Sequence, residues 1–150
     1  MDLEEQYDKI YRYCYFKTRS RETAEDITQE TFLKFFESSR YTDRGQCLQY
    51  LYTIARNLCI DEHRKIKTCP LDEESMGSYS DEGMLLHSSL RAALDGMEEG
   101  ERELLLLRYV NELPVGIIAG LYGISRFALR RRLSKAVRDV KKIFEEGEAL

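Results

Sequence analysis

Residues 68–83, Thr-Cys-Pro-Leu-Asp-Glu-Glu-Ser-Met-Gly-Ser-Tyr-Ser-Asp-Glu-Gly, constrain the architecture more than any other stretch. They carry five acids, no bases, one Pro and two Gly. No apolar period runs through them, so they read as a flexible acidic linker. The blocks on either side have roughly 67 residues each, a size at which a hydrophobic core is marginal. Neither block shows a strand-like alternation of any length, and both show apolar residues at helical spacing. The expected fold is therefore all-α. Two small helical domains, residues 1–67 and 86–150, are joined by a linker over 68–85.

The first block reads as three or four helices. Tyr7 to Arg19 places Ile10, Tyr11, Cys14 and Tyr15 on one face. A second helix from about Thr23 to Ser38 is expected to bury Ile27, Phe32 or Thr31, Phe35 and Phe36. After a polar turn, Arg40 to Gly45, a third helix runs from about Cys47 to Arg64. Leu51, Ile54, Ala55 and Leu58 fall within one 100° arc of it, which is its expected core face. The opposite arc holds Tyr52, Thr53, Arg56, Asn57, Ile60, His63 and Arg64, with Tyr50 at its edge. Such an arc either grips and stacks on nucleic acid or is a polar surface with rings tucked against neighbouring helices. Periodicity leaves both readings open.

The second block ends in a sharper pattern. A helix is expected from Glu101 to Val110, then a short one from Val115 to Tyr122 entered through Pro114. Gly123 is a good left-handed stop and Ser125 a natural N-cap for a long helix starting at Arg126. Helix, Gly-containing turn and helix form the arrangement of a helix-turn-helix DNA reader. The last helix is apolar along Leu129, Leu133, Ala136, Val137, Val140, Ile143 and Phe144. Its other side presents Phe127, Arg131, Ser134, Lys135, Arg138 and Lys142, flanked by Arg126, Arg130, Arg132 and Lys141.

Charge agrees with that reading. The chain has a net charge of −4, yet residues 125–144 hold eight bases and one acid, a local +7, while residues 68–104 hold ten acids and two bases, a local −8. A concentrated cationic helix in an acidic protein suggests a site for a polyanion. It is also what a solvated helix face or a helix lying on an anionic membrane would show, although the turn and short helix in front of it favour DNA. No run approaches the ~18 apolar residues of a membrane span. The start, Met1 to Glu5, is acidic where a secretory signal is basic and then apolar. With four cysteines and no C-x-x-C pair, the expectation is a cytoplasmic protein with reduced thiols. Cys59, His63 and Cys69 offer three loosely spaced ligands and no fourth, too little for a zinc site. No nucleophile–base pair or phosphate-cradling Gly loop is present. The sequence argues against an enzyme and calls for no cofactor.

Four stretches resemble the extracytoplasmic-function group of bacterial RNA polymerase sigma factors, in the order that family has them. Ala24 to Leu33 (Ala-Glu-Asp-Ile-Thr-Gln-Glu-Thr-Phe-Leu) is similar to the segment that docks on the polymerase clamp helices. Leu51 to Asp61 is similar to the promoter-melting and −10 recognition helix. Glu101 to Tyr109 and Gly123-Ile124-Ser125 resemble the −35-reading domain. The resemblance implies polymerase contact by Asp26, Gln29, Glu30 and Leu33. It implies −10 contact by Tyr41, Tyr50, Thr53, Arg56, Asn57 and Arg64, and −35 contact by Arg126, Phe127, Arg130, Arg131, Ser134, Lys135 and Arg138. The implied partners are core RNA polymerase and promoter DNA, with room for an anti-sigma factor and no membrane insertion. A stand-alone helix-turn-helix regulator is the competing reading. The chain departs from the family in having Tyr50 where Trp is usual, Gly96-Met97-Glu98 where Leu-Pro is usual, and Phe127 for Gly. Glu is typical near Gly116, Ile117 and Gly120. Two glycines inside a short helix cost ~1 kcal/mol each relative to Ala.

Overall fold

A computed structural model describes residues 2–38, 47–68 and 88–148. Among them there are seven α-helices and no strand, as the periodicity requires. The chain divides into two compact units, residues 1–80 and 81–150. The acidic stretch read as a linker lies almost wholly outside the described residues, as does the turn after the second helix.

The first unit holds three helices, α1 (Leu3–Thr18), α2 (Arg21–Glu37) and α3 (Cys47–Thr68). Asp2 caps α1 by accepting from the amides of Glu4 and Glu5 at 3.1 and 3.3 Å. The helix stops at Arg19, which takes a left-handed φ of 57° and donates its amide to the Tyr15 carbonyl at 2.7 Å. Ser20 then caps α2 through the Thr23 amide, so the turn between them is two residues long. The core of α1 is Ile10, Tyr13, Cys14 and Tyr15. Tyr13 takes a place expected of Tyr11, which is half-buried and whose hydroxyl pKa burial pushes up.

On α2 the buried set is Ala24, Ile27, Thr28, Thr31, Phe32 and Phe35. Thr31 and Phe32 are both core, resolving the alternative in the sequence. The two threonines are tolerated there because each hydroxyl donates at 2.7 Å to the carbonyl one turn back, Ala24 and Ile27 respectively, leaving only methyl groups to pack. Phe36, expected inside, is 50% exposed.

The second unit comprises α4 (Ser88–Asp95), α5 (Glu99–Leu105), α6 (Val115–Tyr122) and α7 (Arg126–Glu148), with a π-helical turn over Leu106–Val110 continuing α5. The single helix expected from Glu101 to Val110 thus begins two residues earlier and widens in its second half. Leu104, Leu105, Leu106 and Leu107 are all buried. Four consecutive buried leucines span more than one narrow face, and α7 packs against α5 while α6 packs against the π-helical turn. Met97, at the departure from Leu-Pro, is buried with Leu105 and Ala136, and Leu94, Val140 and Ile143 pack against the three. Glu112 sits at φ 56° in the following turn, where the Arg108 guanidinium donates to the Leu113 carbonyl at 3.2 Å.

Candidate nucleic-acid and polymerase interfaces

The turn of the helix-turn-helix is built as its residues dictate. Gly123 is left-handed at φ 66°. The Ile124 amide donates to the Ala119 carbonyl at 3.1 Å and the Gly123 amide to Gly120 at 3.4 Å, the paired closure of a Schellman stop. Ser125 Oγ then accepts from the Ala128 amide at 3.1 Å, capping α7 and fixing its direction. Leu129, Leu133 and Ala136 are buried, so the arc opposite them must face out. Phe127, Arg131, Ser134, Lys135 and Arg138 are all exposed, as are Arg126 and Arg130.

Within that arc the side chains are not equivalent. Phe127 is 69% exposed, and the Arg131 guanidinium lies over its ring at 5.1 Å. Stacking one turn apart restrains Arg131 while leaving its in-plane donors available. Lys135 differs: its Nζ donates to Glu101 Oε1 of α5 at 2.6 Å and to Asp139 Oδ2 at 2.9 Å. Hydrogen bonding to Glu101 first, and then to Asp139, holds the ammonium pKa above its ordinary value. The Lys135 ammonium in turn holds the Asp139 carboxyl below the usual carboxylate range.

The α3 face is less open than its sequence suggests. Tyr52, placed on the outward arc, is 1% exposed and meets Tyr13 of α1 edge-on with ring centroids 6.2 Å apart. Tyr50 is half-buried against Phe35 of α2, centroids 6.1 Å apart. The Thr53 hydroxyl donates to the Gln49 carbonyl at 2.8 Å, and Arg56 is half-buried. Asn57 and Arg64 are exposed. Tyr41 lies outside the described residues. Of the six residues named for −10 contact, Asn57 and Arg64 therefore form the open edge, with Arg56, Thr53 and Tyr50 behind it.

On α2, Asp26, Gln29, Glu30 and Leu33 are exposed together on the side away from Ile27 and Phe35. Leu33 is 58% exposed and Glu30 pairs with Lys34 at 3.9 Å. Phe36, one turn beyond Leu33, adds an apolar ring to the same surface. Sequence reasoning missed it because five apolar or aromatic residues between Ile27 and Phe36 offer more candidates than one core face can hold. The outward ring was knowable only from which neighbours Phe32 and Phe35 find. Tyr109, 59% exposed beside the Arg108 guanidinium, was not singled out either.

Cys59 is buried and His63 exposed, and Cys69 is outside the described residues. Among the described residues no three His, Cys, Asp or Glu side chains converge on a point, and no helix is long and apolar enough to cross a membrane.

Family models match both units: Sigma-70 region 2 over residues 3–68 and Sigma-70 region 4 over residues 93–142. The ECF RNA polymerase sigma factor SigW of Bacillus subtilis is 30% identical, over 84% of this chain and 83% of its own. SigM of the same organism is 24% identical over 98% of both chains. BldN of Streptomyces coelicolor is 29% identical over 96% of this chain, which spans 60% of BldN's length. Among solved structures, the sigma factor RpoE of Bartonella quintana, in complex with the anti-sigma factor NepR, superposes with a TM-score of 0.67 at 20% identity, covering 91% of this chain and 89% of that one. That last likeness is one of fold. With both regions present in family order and a relative at this identity along most of the chain, the protein belongs to the extracytoplasmic-function RNA polymerase sigma factors.

Proposed function

We propose that this chain joins core RNA polymerase through the exposed face of α2, captures unpaired −10 bases along the Asn57–Arg64 edge of α3, and reads −35 duplex with the start of α7. The observation that carries the reading is the capped, exposed arc of Phe127, Arg131 and Ser134 following a helix-turn-helix turn. Base edges are read from that part of a recognition helix, and flanking cations such as Arg130 and Arg138 hold phosphates. Arg suits guanine O6 and N7, and an apolar ring suits a thymine methyl. Asn57, exposed and carrying both a donor and an acceptor on its side chain, suits an extruded base. The protein's contribution is binding free energy for unstacked bases, which offsets duplex opening at a few kcal/mol per base. It supplies no bond-making step, and its place of work is the cytoplasm. An anti-sigma factor is a further expected partner. The stand-alone regulator is disfavoured because it leaves the region 2 match over 3–68 without a role.

Polymerase docking is tested by reversing charge at Asp26 together with Gln29→Ala. Both residues are exposed, so helicity should be unchanged while co-purification with core polymerase is lost. Retained co-purification would remove α2 from the interface. Transcription in vitro from a promoter selected with the reconstituted holoenzyme separates this reading from that of a regulator acting alone.

A further inference from the structure

Gly116 is an anomaly in its own helix. It stands second in the eight-residue α6, where glycine is the poorest helix former after proline. Its backbone does not call for glycine, since a left-handed φ occurs among the described glycines at Gly123 alone. What distinguishes position 116 is its neighbour. A Cβ there would stand 2.9 Å from Arg126 Nη2, 3.1 Å from Nε and 3.3 Å from Cζ. These three atoms form one edge of the guanidinium, so the whole group rests against the first turn of α6. Gly100, near the start of α5, is the contrast: a Cβ there would meet nothing within 4 Å.

Arg126 opens α7 but does not share the reading arc. At 100° per residue it lies about 60° from Leu129, the centre of the buried face, on the side toward α6. In a helix-turn-helix the second helix enters the major groove while the first crosses the sugar–phosphate backbone. A guanidinium carried by α7 and seated on the first turn of α6 is thereby directed at phosphate, for which its planar fork of donors is suited.

We propose that Gly116 is a positioning residue for −35 binding: lacking a Cβ, it seats the Arg126 guanidinium against α6, where it clamps a DNA phosphate. The proposal rests on the assignment of α7 to the −35 element.

Gly116→Ala is an unusually clean test, because alanine favours the helix and the thermal midpoint should stay level or rise. Binding to promoter duplex is measured across several salt concentrations with the full chain assembled on core polymerase. Gly116→Ala and Arg126→Ala should each weaken binding by roughly three- to tenfold on all −35 sequences alike, and each should lower the log–log salt slope by about one. The double variant should be no weaker than Arg126→Ala, and Gly100→Ala should bind as the parent does. Unchanged affinity and slope for Gly116→Ala, or a loss that adds fully to that of Arg126→Ala, overturns the proposal. Arg131→Ala in the same assay separates the two levels. If it relaxes base preference while Gly116→Ala has no effect, the seat is wrong and the −35 assignment stands. If Arg131→Ala and Arg126→Ala both bind as the parent does, the assignment fails and takes the proposal with it.

Discussion

The two helices proposed to contact DNA, α3 and α7, present similar sequences of alternating cationic, aromatic and apolar residues, yet they are held differently. On α7 the buried residues Leu129, Leu133 and Ala136 fall on one narrow side, and α4, α5 and α6 all pack along it. On α3 the buried set is Leu51, Tyr52, Ile54, Ala55 and Cys59, which at 100° per residue covers about 160° of the helix. The cause is that α3 is wedged: α1 meets it through Tyr13 and Tyr52, and α2 through Phe35 and Tyr50. A helix supported from one narrow side keeps most of its opposite arc for a ligand. A wedged helix keeps only an edge, and rings that look like stacking platforms become struts.

Truncating one such strut should give the largest effect. Tyr52→Ala removes a fully buried ring between α1 and α3 and should destabilise the first unit by about 3–5 kcal/mol. Asn57→Ala, on the open edge of the same helix, should leave thermal stability within about 0.5 kcal/mol of the parent while weakening open-complex formation. Thermal unfolding paired with promoter opening by the holoenzyme makes the comparison. If Tyr52→Ala instead melts like the parent and fails only on DNA, the outward reading of Tyr52 was right and the wedge is wrong.

The second contrast lies within α7. Arg131, restrained over Phe127, is the proposed base reader, and Arg138, two turns further on, the proposed phosphate contact. Arg131→Ala should cost ~1–3 kcal/mol of binding and relax preference at one base position. Arg138→Ala should weaken all sequences alike and lower the salt slope by about one. A panel of single-base −35 variants at two salt concentrations distinguishes them. Selective loss with Arg138→Ala, or uniform loss with Arg131→Ala, would exchange the roles.

These contrasts mark what was legible in the sequence. Stops, caps and strong amphipathic faces are local: Gly123, Ser125 and the Leu129–Leu133–Ala136 side are where periodicity and capping chemistry put them. The exposed set Asp26, Gln29, Glu30 and Leu33 follows from the same kind of argument. What periodicity could not supply is the number of neighbours a helix has. Tyr52 and Cys59 are buried, Leu58 is only half-buried and Phe36 is exposed because of where α1, α2 and α3 meet. Contacts across the second unit were equally out of reach. Nothing in a list of residues says that Glu101 meets Lys135, 34 positions away, or that Arg126 rests on Gly116.

The Lys135 contact sets the smallest expected effect and the finest test of the α7 arc. Lys135 is among the residues that the sequence assigns to −35 contact, yet Glu101 and Asp139 take two of its donors at 2.6 and 2.9 Å. A cation already neutralised by two carboxylates displaces few counterions when it meets a phosphate. Lys135→Ala should therefore lower the salt slope by less than Arg138→Ala does, and Glu101→Gln, which leaves Asp139 as the one carboxylate of the pair still on the ammonium, should modestly strengthen binding to all sequences. The pH dependence follows from the shifts. With its pKa raised, Lys135 contributes to stability fully below its ordinary 10.5 and loses that contribution as pH rises through the raised value. With its pKa lowered, Asp139 contributes fully above its ordinary 3.8 and loses that as pH falls through the lowered value. The brace between α5 and α7 is thus constant across neutral pH, and with Lys135 60% and Asp139 40% exposed, solvent screening keeps its contribution small. A salt titration of Lys135→Ala and Glu101→Gln at neutral pH isolates the effect. A full unit of slope lost in Lys135→Ala would mean that DNA displaces both carboxylates, returning Lys135 to the group of direct DNA contacts.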